Sequence, residues 1–281
     1  YKLPATGQTV SYTNTVGEDH DYLINPPSFI INDSDTVTDN NTLLMWQRQD
    51  DGTQRTWANA GTYCSSLSLG GYSDWRLPKA YDELQSIVDY GESNGLIDTT
   101  YFTNTGSAPY YYWTSDIYAA ASDYLSFNLR FDSGSLGYTA ASNEFHVRCV
   151  RGTSTTRSFT DNGDNTTTDT KTRLVWQRST SGSEMTWEEA LSSCEALTLA
   201  SQSDWRLPNI KELGSIVDVS ERNPAIDETY FPATQSADYW SSTTYVGGTA
   251  NAWQVAFNSG LVVKGYQKAW SSYYVRCVRG E

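Results

Sequence analysis

The sequence predicts two tandem α+β domains, each closed by one disulfide. Three observations predict this. The word Ser73-Asp74-Trp75-Arg76-Leu77-Pro78 returns verbatim as Ser203-Asp204-Trp205-Arg206-Leu207-Pro208. Both copies then close on Val-Arg-Cys-Val-Arg-Gly, at Val147 to Gly152 and at Val275 to Gly280. Between these words helical spacing gives way to short aromatic strands, the order of an α+β domain. An internal repeat fixes the domain map before any other signal.

A chain of 281 residues suits about two domains on length alone. The repeat sets them at roughly 29–152 and 153–281, each large enough for its own core. Residues 1–28 have no counterpart in the second copy and read as a leader packed on the first domain.

Each copy opens on a hairpin. In the second, Ser158 to Asp169 places Thr-rich strands around Asn162-Gly163, a turn pair suited to a β-hairpin, before Leu174-Val175-Trp176. The oxygens of Asp161, Asp164 and Asp169 offer calcium a weak set of ligands, since calcium takes six to eight. Asx residues are also ordinary turn formers, and the spacing is not that of a helix-loop-helix calcium site. The turn reading is preferred, with calcium the alternative.

A helix follows. Thr186 with Glu189 forms a capping box, while in the first copy Thr56 caps alone because Asn59 replaces the acid. Trp57, Ala60, Cys64 and Leu67 recur at helical steps, so the cysteine shares an inward face. The Trp-Arg-Leu-Pro word is then an extended piece whose proline starts a second helix, with Leu84, Ile87 and Val88 inside, matched by Leu213, Ile216 and Val217. Arg76 and Arg206 are expected to pair with Glu83 and Glu212. Strands complete the domain at Tyr112 to Ser115, Ser126 to Phe131 and Phe145 to Cys149, repeated at Tyr239 to Ser242, Ala252 to Phe257, Leu261 to Lys264 and Tyr273 to Cys277.

Four cysteines permit three pairings, and the duplication chooses among them. A domain that once stood alone bonded internally, which pairs Cys64 with Cys149 and Cys194 with Cys277. Closing such long loops stabilises by about 4–5 kcal/mol each in the chain-entropy model. Stable disulfides imply an oxidising compartment, so the chain is expected to be secreted, on the cell surface or periplasmic. Four buried thiols in a cytosolic protein are the alternative.

Net charge is −14. Residues 1–152 carry 8 Lys and Arg against 18 Asp and Glu, and residues 153–281 carry 11 against 15, so both halves are acidic. Nucleic acid is excluded as a partner, because its phosphates are bound mostly by Lys and Arg. No apolar run approaches membrane-spanning length, so no membrane insertion is expected.

Asp-Trp-Arg-Leu-Pro, then Tyr-Trp-[Ser/Thr]-Ser, then Val-Arg-Cys-Val-Arg resemble the bacterial domain family named for the C-terminal domain of the Legionella collagen-like adhesin. The resemblance covers nearly the whole chain. It implies a C-type-lectin-like fold in each copy, with a disulfide from helix to last strand, and an adhesive role. The adhesin is associated with sulfated glycosaminoglycans and with trimers, which suggests a homo-oligomer here. This chain departs from that pattern in being acidic. The Glu-Pro-Asn and Trp-Asn-Asp motifs of calcium-dependent animal lectins are also absent.

An enzyme is not expected. His20 and His146 stand in unrelated settings, no Cys/His cluster appears, and disulfides would leave no thiol. Nothing marks a matched pair of carboxylates for glycoside hydrolysis. Binding is expected where the copies differ, because loops diverge where they face partners or nothing. Those positions are Tyr118, Asp123 and Tyr138 in the first copy, and Tyr245, Asn251, Lys264, Tyr266, Lys268 and Trp270 in the second. Tyr and Trp beside Asn and Ser suit a recognition surface. The expected function is non-enzymatic extracellular recognition of a glycan through the loop-rich face, needing no cofactor unless calcium. The alternative is a protein-binding or self-assembling surface component.

Overall fold

A computed structural model describes residues 1–281 except 94, 106–109, 119–124, 155, 181 and 281, and except the side chain of residue 266. In the first repeat the elements run β1 (Phe29–Ile31), β2 (Thr36–Asp39), β3 (Met45–Gln47), α1 (Trp57–Ser66), β4 (Tyr111–Ile117), β5 (Leu125–Arg130), β6 (Leu136–Ala140) and β7 (Val150–Arg151). The second repeats the order as β8 (Phe159–Asp161), β9 (Thr166–Asp169), β10 (Val175–Gln177), α2 (Trp187–Glu195), α3 (Ile210–Ser215), β11 (Asp238–Thr244), β12 (Asn251–Ala256), β13 (Leu261–Gln267) and β14 (Val278–Arg279). Each hairpin and its returning last strand make a four-stranded antiparallel sheet, β1-β2-β3-β7 and β8-β9-β10-β14. The remaining strands form one six-stranded sheet, β4-β5-β6-β13-β12-β11.

The second helix differs between copies. In the second, Asn209 accepts from the Glu212 N–H at 2.9 Å and Glu212 answers to the Asn209 N–H at 2.9 Å, a complete capping box that starts α3. The first copy has Lys79 at the capping position and one inserted residue. There the chain forms only a 3-10 turn, Leu84–Ile87, where an α-helix was expected. The described residues therefore hold three α-helices, not two per domain. α2 starts as expected, with Glu189 taking the Thr186 N–H at 2.8 Å, whereas Thr56 makes no side-chain cap.

The repeated words are explained by what they hold. Cys64 bonds Cys149 and Cys194 bonds Cys277, joining each first helix to the end of its domain. Around each bond sits a small core: Ala60, Trp75, Leu77, Trp113 and Val147 in the first repeat, Ala190, Trp205, Leu207, Trp240 and Val275 in the second. The first arginine of Val-Arg-Cys-Val-Arg is fully buried in both copies. Arg148 Nη1 donates to the carbonyls of Gln47 and Arg48 at 2.8 and 2.7 Å, and Arg276 Nη1 to those of Gln177 and Arg178, both at 2.6 Å. Burial without a carboxylate partner pulls Arg276 down to about 10. The second arginine clasps the aspartate of the other word, Arg151 on Asp74 and Arg279 on Asp204, both at 2.7 Å.

Arg76 and Arg206 make the expected pairs. Both grip their glutamate with two nitrogens, at 2.6 and 2.7 Å for Glu83 and at 2.7 Å twice for Glu212. Each also reaches the carbonyl of its closing glycine, Gly152 or Gly280.

The repeats meet about a pseudo-two-fold axis. Leu136 of β6 pairs with Val262 of β13, and these are equivalent positions, spaced like Phe131 and Phe257. Gln85 lies against Gly214, again its own counterpart. Self-matching contact of this kind marks an isologous interface. A Cβ at Gly214 would come within 2.7 Å of Gln85 Oε1 and 2.9 Å of Tyr81 Cδ1, so only glycine lets the copies approach this closely. One hydrophobic core runs through the junction, from Val37 and Trp46 to Trp176 and Val278.

The leader belongs to this junction rather than to the first domain alone. The Lys2 N–H reaches the Asn41 carbonyl, and the Tyr90 N–H reaches the Thr6 carbonyl, both in the first repeat. Toward the second, Asp19 Oδ2 accepts from Thr6 and Thr243 hydroxyls at 2.5 and 2.6 Å, and Glu18 Oε1 from Thr244 at 2.5 Å. Lys211 ties all three segments. Its buried ammonium donates at 2.9 Å to Ala5 O in the leader and at 2.9 Å to Ser86 O in the first repeat. Burial brings it down to about 8.

Two outcomes test this account. Glu212 and Arg206 are 6% and 5% exposed, while Arg76 is 30% exposed. Glu212→Gln should therefore cost about 3–5 kcal/mol, the range for breaking a buried pair, and Glu83→Gln clearly less, read by urea unfolding. Equal costs would refute the burial argument. The second outcome concerns Asp19, whose burial pushes its carboxyl from 3.8 up to about 6 despite the hydroxyls that favour its charge. The folded chain holds that proton more tightly than the unfolded chain. The group's stabilisation is thus complete below pH 3.8 and is lost as pH rises through about 6. Asp19→Asn keeps an acceptor but cannot titrate. Its unfolding free energy, read by urea titration at a series of pH values, should pull ahead of wild type across that window by up to about 3 kcal/mol, and the gap should stay flat above it. A gap independent of pH would contradict the assignment.

Candidate functional site

An open groove in the first repeat lies on the β4-β5-β6 face. Its volume is about 370 Å³, with Tyr111, Asn128, Arg130, Tyr138, Asn143 and Phe145 among its walls. Adjacent strands place these residues. Tyr111 pairs with Arg130 across β4 and β5, and Asn128 with Gly137 across β5 and β6. Gly137 leaves space above Asn128, since a Cβ there would be 3.9 Å from Asn128 Oδ1.

One aromatic stack lines this groove. Tyr111 lies flat on Phe145, with centroids 4.5 Å apart and planes 13° from parallel. On the other, core-packed face of the sheet Tyr118 lies flat on Tyr138, at 3.8 Å and 10°, and both rings pack against Phe127. The Arg130 guanidinium stands 4.9 Å from the Tyr111 ring centre and is held by Asp132 through bonds of 3.0 and 2.7 Å. Its charge is thereby matched, so the groove offers flat rings, amides and a fixed guanidinium without a net positive field. Asn143 Nδ2 donates to Thr139 Oγ1 at 2.7 Å, which fixes that wall.

The second repeat has no such groove chemistry. Asp238 stands in place of Tyr111, Ala256 in place of Arg130 and Gln254 in place of Asn128. Among the candidates there, Tyr245 packs edge-on against the buried Trp253 at 5.6 Å, and Lys264 lies 5.6 Å from the Tyr245 ring centre. Asn251 begins β12, its N–H bonded to the Gly248 carbonyl. Trp270 is 85% exposed.

Lys268 does not join Lys264 as a basic pair. It is buried, donates to Thr244 Oγ1 at 2.6 Å and lies 3.8 Å from the Trp187 ring centre. Burial lowers it to about 8, opposed by Glu18 and Glu188 nearby. Its neighbours make it part of the leader junction, out of reach of a surface ligand. Asp123 lies outside the described residues, as does the side chain of Tyr266.

The weak calcium ligands are each spent locally. Asp161 takes the Gly163 N–H and faces Arg178 at 3.2 Å, while Asp164 takes the Thr166 N–H and hydroxyl. Asp169 is buried and takes the Lys171 N–H and the Thr172 hydroxyl. No metal-holding group of three or more acids, histidines or cysteines occurs among the described residues.

His146 also has a packing role. It lies 3.3 Å from the buried Asp50, which accepts a 2.5 Å bond from Tyr112. Its other ring nitrogen faces Gln54 rather than a hydroxyl or thiol. Tyr112 and His146 tilt against each other at 5.5 Å and 30°, and Tyr239 and Tyr274 do the same in the second repeat at 5.6 Å and 31°. The imidazole occupies an aromatic position of the fold.

Sequence reading missed Tyr111, Arg130 and Phe145 as groove walls, with the buried Asn128 between them, because they sit in stretches whose alternation reads as core. One signal was available, since Tyr111 and Arg130 become Asp238 and Ala256 within otherwise matched strands.

Comparison with curated proteins finds no match. The family model of the Lcl C-terminal domain matches residues 35–151 and again residues 165–279, most of the chain. The two matches end on the same closing strand of each repeat and enclose the same disulfide. The chain therefore belongs to the Lcl C-terminal domain family, and carries that domain twice in tandem.

Proposed function

We propose that this chain is a non-enzymatic extracellular recognition module whose first repeat binds a neutral glycan in the Tyr111–Arg130–Phe145 groove. The family suggests an extracellular surface module. Two intradomain disulfides and the lack of any membrane-spanning helix among the described residues are compatible with a secreted or periplasmic protein. The single observation that carries the ligand class is the flat Tyr111–Phe145 stack beside amides and a paired arginine. Sugar rings present apolar C–H faces to such surfaces and hydroxyls to the amide and guanidinium edges. The matched charge of Arg130 and the net charge of −14 favour a neutral polysaccharide over a sulfated one.

A second reading rests on a different residue. Trp270 at 85% exposure is a large apolar surface on the other repeat, and such residues anchor protein partners. Binding to a panel of neutral and sulfated polysaccharides separates the readings. Neutral binding should weaken about tenfold or more in Tyr111→Ala and in Arg130→Ala, and persist in Trp270→Ala and in chelator. A folded protein that binds no polysaccharide would sink the glycan reading. Loss only in Trp270→Ala would move the site to the second repeat.

A further inference from the structure

The hairpin of the first repeat departs from its copy at three surface positions, all in the same direction. Ile30, Ile31 and Leu43 are 54%, 43% and 71% exposed. Their counterparts in the second repeat are Thr160, Asp161 and Arg173. Single exposed apolar residues are ordinary. Three on one hairpin, each polar or charged in the copy, mark a surface that meets something.

β1 is the outer strand of its sheet, as β8 is of the other. Both are three residues long, which limits what can pair with them. Only β8 is also guarded by charge. Asp161 sets a carboxylate on that strand and faces Arg178 at 3.2 Å. In the first repeat Ile31 takes the place of Asp161. Arg48, the counterpart of Arg178, turns instead to the Ser34 and Thr100 carbonyls at 3.4 and 3.2 Å. The charge that would repel an incoming strand is thus missing from β1.

The register of β1 shows which of its backbone groups are free. The Asn40 N–H donates to Ser28 O at 2.9 Å, and the Asn32 N–H to Thr36 O at 3.0 Å, so Ser28, Ile30 and Asn32 turn toward β2. The N–H and carbonyl groups of Phe29 and Ile31 therefore point out of the sheet. An antiparallel strand satisfies both residues when it offers a matching pair two residues apart. A second β1 does so, with Phe29 opposite the partner's Ile31 and a two-fold axis at Ile30. Ile30 then faces its own copy in the close, non-hydrogen-bonded position, where β-branched side chains pack well.

Charge agrees with this register. The exposed Asp33 and Asp35 follow β1, and the two-fold pairing carries them toward the partner's residues 25–27. Lys2, also exposed, docks beside that end. Its N–H lies on the Asn41 carbonyl, and the Asn41 amide holds the Pro26 carbonyl at 2.9 Å. Each acidic turn thus approaches the partner's Lys2.

We propose that β1 is a self-association edge, through which two copies of this chain join as an antiparallel two-fold pair centred on Ile30. So short an edge buries far less surface than a permanent dimer needs, and the pair forms and parts with concentration. It shares no residue with the Tyr111 groove.

Sedimentation of the full chain at physiological salt tests it, from about 1 to about 500 μM. The mass should rise from one chain toward two. Ile30→Thr combined with Ile31→Asp gives β1 the residues that β8 already accommodates, and should weaken association about tenfold or more. Tyr111→Ala should leave association intact. Ile30→Cys should form a disulfide-linked dimer under mild oxidation, because residue 30 meets itself at the axis, and Thr160→Cys on β8 should form far less. A chain that stays monomeric at about 500 μM would overturn the inference and leave the edge to a strand of another protein. So would a trimer, which a two-fold edge cannot close, a dimer unchanged by Ile30→Thr with Ile31→Asp, or equal linkage at the two cysteine sites.

Discussion

The structure depends on a carboxylate–guanidinium clasp inside the repeated word. Arg76 with Glu83, and Arg206 with Glu212, connect three parts of each domain at one point. The glutamate also takes the backbone N–H that begins the second helical segment, Lys79 in one copy and Asn209 in the other. The arginine also takes the carbonyl of the closing glycine and, through its own backbone, bridges to the last strand at Val150 or Val278. A paired charge of this kind adds little net stability when replaced as a unit, but it fixes geometry, because either partner left alone in the interior is costly. Here the geometry it fixes is the angle at which the second helical segment meets the other repeat.

That segment is where the copies touch, so the clasp sets the junction as well as the domain. Gln85 and Gly214 meet as counterparts, and Tyr81 slides past Gly214 into the second repeat. The six-stranded sheet crosses the same axis through Leu136 and Val262. Apolar burial across this axis makes one core of two copies, and the disulfide cores stay separate on either side. The leader then adds a third strut. Its acids and the Lys211 ammonium are buried polar groups with partners from different segments, so they specify one arrangement of the parts.

Much of this was legible in the residues, for a physical reason in each case. The disulfide pairing followed from duplication, because a domain must close on itself before it is copied. The Arg–Glu pairs followed because a charge bracketed by Trp and Leu-Pro needs an opposite charge within reach. The α-helix expected at Leu84 did not form because one inserted residue and the loss of the Asn cap shift the local bonding to a 3-10 turn. The leader's role was illegible, since its partners are more than 200 residues away in sequence at Thr243 and Thr244. The groove was hardly legible. Tyr118 and Tyr138 were named from divergence between copies, yet their rings pack against Phe127 on the core face, while Tyr111 and Arg130 were read as strand interior, because alternation alone does not say which face of a sheet a second layer covers.

Duplication also explains why the two clefts at the junction differ. Two identical domains packed about a two-fold axis create two identical clefts, and nothing in the symmetry favours one. The single segment that precedes the first repeat cannot serve both. It fills the cleft of the second repeat with Asp19 and Glu18, whose hydroxyl partners Thr243 and Thr244 replace the Asp116 and Ile117 of the first. An aspartate at 243 would set a carboxylate against Asp19 in the interior, where like charges repel most strongly. The threonines are therefore the residues that admit the leader, and Asp116 is the residue that refuses it. Asymmetry in a fused pair thus begins with a segment that stands beside only one copy and is fixed by the residues that face it, Thr243 and Thr244 against Asp116 and Ile117.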